Sequence, residues 1–440
     1  KPNRPHCKMK WLVVLFCCFL FVSISRATKY YDDAVLRILP RTESEVAILR
    51  EELPVAIPVS WWREPSYVAN YVDAHFSRAN LAEARALLDA AGLEYVTLIE
   101  DVQEAIEASY SPPSELFTAS NDVEFDFSKY HSLEEISEWM ITLEKTFPDL
   151  VSLVDVGTSF EGRTIKAVKF SGANSNSTSA KPGLWLDGGI HAREWVSPAT
   201  NVYVLGNLLA DYGKDEETTK LIDGLEWYIL PVFNVDGYSY TWAEDGDRMW
   251  RKTRSTTSSK LCTGVDPNRN WDMHWGEAGT SKNPCADDFQ GNSAFSEIEV
   301  KSVASFIQAQ TNINGYVNFH SYSQLWMSPW GYTDDLPPTP DYDAQNEVSA
   351  AAAAAINAVH GSVFQYGPIS KTIYPASGSS ADWTYGVCGI LYSYGVELRD
   401  TGKYGFLLPE DQIIPSGEET LAGVKVLAHA VLEAGLPDRK

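Results

Sequence analysis

The sequence predicts an α/β protein in two parts, a small unit over residues 30–110 and a larger one from Tyr130 onward. Three observations point there. Apolar stretches of strand length alternate with longer helix-patterned segments in both parts. Ser111-Pro112-Pro113-Ser114 opens a stretch rich in Ser, Thr and acids that runs to Asp126, a composition typical of domain boundaries. With 440 residues and 44% hydrophobic content, the chain can bury a large core and a small one.

In the small unit, Ala34–Leu39 (AVLRIL) alternates as a strand, and Thr42 opens a short helix over Glu43–Leu53. The strand-like VANYVDAHF lies within Ser66–Phe76. Asn80 is the expected cap of a helix running through Ala91, which Gly92 ends. Glu94–Leu98 reads as a strand and Asp101–Tyr110 as a helix, so a sheet with helices on one face is expected.

In the large unit, Ser132 and Glu135 form a capping box for a helix to Lys145. Strands follow at Leu150–Val156, Lys166–Phe170 and Leu184–Leu186, then a helix over Pro198–Tyr212 and a buried strand at Trp227–Phe233. Ser296–Gln310 and Ala344–Val359 are helical, Gly315–Phe319 and Leu391–Leu398 are strands, and Ser416–Ala434 closes the chain as a helix. This alternation implies an α/β sandwich with ligands at strand ends.

A net charge of -24 argues against a nucleic-acid partner, because phosphate binding needs a basic surface. Met9 and Lys10, the apolar run Trp11–Val22 and the small residues Ser23, Ser25 and Ala27 read as a secretory signal over residues 9–27. The run is shorter than the ~20 residues a membrane span needs, so no membrane partner is expected and the protein is read as secreted and extracellular. Beyond the signal the cysteines are Cys262, Cys285 and Cys388. A Cys262–Cys285 bridge would add ~3 kcal/mol by restricting the unfolded chain. The apolar surroundings of Cys388 suggest a buried, inert thiol. Asn176-Ser177-Thr178 is a glycosylation sequon.

The chemistry is suggested by GGIHAREWVSP, Gly188–Pro198, in which His191 and Glu194 follow an apolar strand. His320 occupies the same kind of position, where GYVNF meets HSYSQ. Each histidine alone is more often a hydrogen-bonded turn residue than a ligand. Brought together, two His and a Glu make a three-ligand zinc site with an open fourth position. Glu397 lies inside the apolar strand YSYGVEL, where a carboxylate is costly unless paired or functional. Arg248, Arg251, Arg254 and Arg269 crowd a polar loop region, and Asn268 stands beside Arg269, a pairing suited to holding a carboxylate. Surface salt bridging is the alternative for these arginines, above all for Arg254.

Taken in order, HAREW, RMWRKTRS, VDPNRNW, HSYSQ, TIYPASGSSADW and VELRDTGKYGFLLP make the chain resemble the zinc carboxypeptidases of the pancreatic A/B group, with their propeptide. The resemblance covers nearly everything after the signal. It implies a mixed central sheet flanked by helices, preceded by a small α+β open sandwich. It divides the chain into a signal at 9–27, an inhibitory propeptide with linker at 28–121 and a catalytic domain at 122–440. It assigns His191, Glu194 and His320 to one zinc ion per chain, with Asp266 supporting His191. Glu397 becomes general base and then acid, and Arg251 the partner of the developing oxyanion. Asn268, Arg269 and Tyr374 become the clamp for a peptide's C-terminal carboxylate, with Arg193 and Arg248 as accessory contacts.

The same resemblance places Ala381 at the base of the terminal side-chain pocket, where basic-specific relatives carry Asp. Gly331, Ile369 and Ile373 match the apolar version, while Met327, Ser379 and Gly395 depart from the commonest A-type choices. Aromatic or aliphatic terminal residues are therefore expected, at the C-termini of peptides and proteins, with the digestive lumen as the expected setting. Asp382 is one position away, and a shift of register would instead favour Lys or Arg. The reading from another class is an inactive secreted protein that binds C-terminal tails. No Lys or Arg lies between Arg85 and Lys129, so the activating protease is expected to cut the linker with a non-tryptic preference, at or near Leu116-Phe117.

Overall fold

The computed structural model describes residues 27–111, 125–172 and 180–437. Most of the signal, the centre of the linker with Leu116-Phe117, and Asn176 lie outside the described residues. Among the described residues no helix is long and apolar enough to cross a membrane.

The small unit has strands β1 (Ala34–Ile38), β2 (Ser60–Arg63), β3 (Val72–Phe76) and β4 (Tyr95–Ile99). They form one antiparallel sheet in the order β2-β3-β1-β4. Thr42 caps its helix as expected, but that helix reaches Ala56 through a π turn at Ile48–Glu52, directly before Pro54, which has no N–H to give. The next helix begins earlier than expected, at Arg78, and Asn80 falls inside its first turn. A tertiary cap explains the shift: Asp33, beside β1, accepts the Arg78 N–H at 2.8 Å. Strand β2 was not expected from SWWR, which lies between prolines.

The large unit is built on β5 (Val151–Thr158), β6 (Thr164–Phe170), β7 (Gly183–Gly188), β8 (Glu226–Leu230), β9 (Ile313–His320), β10 (Leu325–Ser328), β11 (Gln365–Pro368) and β12 (Tyr392–Glu397). Their order is β11-β10-β12-β9-β7-β8-β6-β5. The central four, β12, β9, β7 and β8, are mutually parallel, and antiparallel pairings on both sides make the sheet mixed. Every residue of β7, β9 and β12 is buried, consistent with parallel strands covered on both faces. Helices Val196–Asp211, Asp341–His360 and Ile413–Ala434 pack the sheet into one core with Trp185, Trp227 and Trp326. Two helices absent from the sequence expectation, Glu216–Gly224 and Val235–Trp242, are capped by Asp215 and Asn234 side chains.

The two units share an apolar seam in which Val35, Trp62, Ile99 and Ile106 meet Met249, Tyr322 and Phe406. Polar contacts reinforce it. The Tyr322 hydroxyl donates to Asp73 at 2.6 Å, Arg37 to the Thr401 carbonyl at 2.9 Å, and Ser60 to Asp287 at 2.9 Å. Asp73 is fully buried and is also held by two 2.7 Å bonds from Arg37.

Candidate metal centre and substrate cleft

Parallel strands that exit side by side bring distant residues together. Strand β7 ends at Gly188, and Gly189 turns the chain with φ +66°. A side chain at Gly188 would meet Asn201 and Ser197 within 3.0 Å, so the following helix can pack directly on the strand exit. Ser197 fixes that exit by accepting from the Gly189 N–H at 2.8 Å and donating to the Phe319 carbonyl at 2.6 Å. His191 and Glu194 lie in this turn, and His320 ends β9 opposite Glu397 at the end of β12.

The three ligand candidates are buried, with ligand atoms all within 4.8 Å of one another. His191 Nδ1 is 2.8 Å from Glu194 Oε1, and His320 Nδ1 is 3.2 Å from Glu194 Oε2 and 3.1 Å from His191 Nδ1. On the far side of the ring, His191 Nε2 lies 3.0 Å from Asp266. A carboxylate only accepts, so Asp266 keeps the proton on Nε2 and leaves the Nδ1 lone pair facing inward. Two inward imidazole nitrogens and a carboxylate aimed at one point are the donor set of an open zinc site, and the residues fit that ion.

Electrostatics follow from this packing. Burial opposes ionisation of Glu194, yet His191 and His320 hold its carboxyl well below the usual range. Asp266 is likewise buried but held low by Arg251, His191 and Arg269. Arg251 is bound to Asp266 through Nε at 3.2 Å and Nη2 at 2.8 Å, and its Nη1 is 3.7 Å from Glu194. Burial and the Glu194 charge push Glu397 well above the ordinary carboxyl value, and its Oε2 has no hydrogen-bond partner.

A single cleft is lined by the ligand cluster together with Arg251, Asn268, Arg269, Tyr374 and Glu397. Arg269 donates from Nε to the Gly279 carbonyl and from Nη1 to that of Asn268, leaving buried Nη2 without a partner. Its guanidinium lies 5.7 Å from the Tyr374 ring. The same cleft takes in Met327, Ile369, Ile373, Ser379, Ala381 and Gly395. Gly331 stands behind this wall, its amide bound by Asp382 at 2.9 Å. Asp382 is fully buried and also accepts the Tyr332 N–H at 3.0 Å, so its carboxylate faces backbone and not the cleft.

Two expected contacts are not brought into the cleft. Arg248 donates to the carbonyls of Arg193 and Phe406 at 2.8 and 3.0 Å and stacks 3.8 Å from the Trp195 ring, which makes it a buried brace. Arg193 meets the small unit instead, donating to the Trp61 carbonyl at 3.2 Å. Arg254 stacks on Tyr240 and Trp250, and only 3.7 Å separates it from Glu161. Sequence reasoning missed Trp62 and Arg63 of β2, which reach the cleft mouth from the small unit, and Asn318 of β9, which lines its wall. Cys262 and Cys285 form a disulfide with Cα atoms 5.1 Å apart, and Cys388 is buried.

Comparison with known proteins agrees with this geometry. Residues 136–423 match the family described as zinc carboxypeptidase, and residues 36–109 match the carboxypeptidase activation peptide. Carboxypeptidase A2 of Mus musculus is 40% identical over 415 residues, covering 94% of this chain and 97% of that protein. Carboxypeptidase A1 of Sus scrofa is 40% identical over 427 residues, covering 96% and 99%. Among solved structures, thrombin activatable fibrinolysis inhibitor superposes with a TM-score of 0.82 at 34% identity, covering 92% of this chain and 100% of that one. Carboxypeptidase A from Helicoverpa armigera gives 0.81 at 29% identity, covering 92% and 98%. Likeness of this extent reaches both units: the chain belongs to the zinc carboxypeptidases and is a carboxypeptidase A-like zymogen, its activation peptide preceding the enzyme.

Proposed function

We propose that this zymogen is secreted and that its processed form releases aromatic or aliphatic residues from peptide C-termini. The observation that carries the preference is the neutral pocket: Ala381 lines the cleft, while the neighbouring carboxylate of Asp382 is bound to backbone amides behind it. A terminal Lys or Arg would be buried there without a counter-charge, which is strongly unfavourable. The digestive setting rests on the resemblance of the sequence motifs to the pancreatic A/B group, and the signal reading over residues 9–27 supports export. In this division residues 28–121 are the propeptide with its linker and residues 122–440 the enzyme.

One zinc ion per chain is held by His191, Glu194 and His320. Bound there, zinc supplies a Lewis acid that polarises a carbonyl and lowers the pKa of a water to about 7. Glu397 takes the proton of the attacking water on its unpartnered Oε2 and later returns it to the leaving amine nitrogen. Arg251, oriented by Asp266, turns its free edge to the charge that develops on the carbonyl oxygen. Asn268, Arg269 and Tyr374 grip the terminal carboxylate, and the unpaired Nη2 of Arg269 is the donor an internal peptide would leave unmet. This restricts cleavage to chain ends. Arg193 becomes available to substrate only when the small unit departs.

The test is hydrolysis of two blocked dipeptides by the processed enzyme, one ending in Phe and one in Lys, with and without a zinc chelator. Chelator-sensitive release of Phe is expected. Preference for Lys would overturn the pocket reading, and binding without hydrolysis of either would overturn the mechanism. Processing is expected from a protease other than trypsin. Clean tryptic release of an intact propeptide would refute that expectation.

A further inference from the structure

Sheet register places His320 beside Glu397 at the reacting end of the cleft. Two residues back along each strand, on the same face, Asn318 stands beside Gly395. Met327 flanks Gly395 on one side, and Asp187 flanks Asn318 on the other. Gly395 leaves this row open, because a Cβ built there meets no heavy atom within 4 Å. Asn318 is one of the residues that line the cleft beside this opening, where a neighbouring side chain would otherwise stand.

Its orientation is fixed from behind. The Asn318 Nδ2 donates to Asp187 Oδ1. Asp187 is fully buried and is held in turn by the Trp185 indole N–H at 2.7 Å. Burial pushes the Asp187 carboxyl up to about 6, so above that pH it only accepts. With Nδ2 given to Asp187, the amide oxygen faces the other way. That oxygen meets Ser380 Oγ at 3.4 Å, the long end of hydrogen bonding, and keeps a lone pair for another donor. Ser380 also lines the cleft, and its N–H donates to Asn268 Oδ1 at 2.9 Å, so the row is tied to the proposed carboxylate clamp.

We propose that Asn318 is a specificity-determining residue, held by Asp187 as a positioning residue, which presents a hydrogen-bond acceptor to the terminal side chain. The preferred substrate class is then narrower than aromatic or aliphatic. It comprises bulky terminal residues whose far end donates a hydrogen bond, the phenol of Tyr and the indole of Trp, in preference to Phe. This rests on the apolar-pocket reading above.

Two peptides identical except for a terminal Tyr or Phe isolate the contribution of one hydroxyl. For the processed enzyme, kcat/KM is expected to favour Tyr by about three- to tenfold, the range of one hydrogen bond in a desolvated pocket. Asn318→Leu removes the acceptor, and Asp187→Asn preserves shape while removing the forced orientation of the amide. Both are expected to bring the Tyr-to-Phe ratio towards one. If Asn318→Leu does not fold, the wild-type ratio and Asp187→Asn still decide the matter. A wild-type ratio of one or less overturns the proposal, as does either variant with the wild-type ratio, and in both cases release of apolar residues survives. A third peptide ending in Lys separates the two ideas, because its preference over both would overturn the apolar pocket itself.

Discussion

Tyr322→Phe offers a measure of how firmly the activation peptide is seated. The phenol donates a 2.6 Å bond to the Asp73 carboxylate across the seam, and both groups are buried, Tyr322 at 4% exposure and Asp73 at 0%. A hydrogen bond to a charged group contributes about 1.5–3 kcal/mol. Asp73 keeps its two 2.7 Å bonds from Arg37, so the variant leaves no unpaired buried charge, and the lower end of that range applies. The Phe ring retains the edge packing of Tyr322 on Phe406, whose centroids are 5.1 Å apart. A loss near 1.5 kcal/mol shifts the closed-to-open equilibrium of the zymogen about tenfold. The assay is hydrolysis of a small peptide by intact zymogen, divided by the rate of the processed enzyme carrying the same substitution. That division removes any direct effect on the cleft. A ratio within twofold of wild type would refute the view that this bond holds the two units together.

Three further outcomes follow. Arg269→Ala should raise KM for peptides with a free C-terminus far more than for C-terminal amides, and equal effects on both would place Arg269 outside the clamp. Burial, with Glu297 and Asp236 nearby, pushes Glu299 up from its ordinary 4.5 to about 7, so the folded state holds its proton more tightly than the unfolded chain does. The stability tied to that proton is complete below pH 4.5 and is lost as pH rises through about 7. Glu299→Gln should therefore match wild type in unfolding free energy near pH 4 and exceed it at pH 8 by about 1–3 kcal/mol, and a gain of equal size at both pH values would refute the assignment. Replacing Cys262 and Cys285 together by Ser should destabilise the enzyme by about 3 kcal/mol in denaturant titration, because the bridge closes a separation of 23 residues.

Much of the centre was legible because its residues break a local pattern. His191 and His320 follow apolar strands, and Glu397 interrupts one. Asn318 and Asp187 break the same pattern inside β9 and β7, so the signal for the pocket wall was present and went unused. Arg193 and Arg248 show the opposite limit. An arginine near a site in sequence can serve as a brace or as a contact, and only the carbonyls it meets in space decide which. Strand β2 was hidden because its pairing partner β3 and its prolines are non-local and local cues that conflict. The early start of the Arg78 helix depended on Asp33, 45 residues away.

Asp266 is the shared support of two neighbours. One oxygen faces the ring of His191, the proposed zinc ligand, and the other grips Arg251, the proposed partner of the oxyanion. A designer who wished to retune the ion without disturbing the arginine, or the reverse, would find no independent handle. Drift at either partner must be matched at the other, and an engineered variant that accepts a different metal should be sought by changing both neighbours at once.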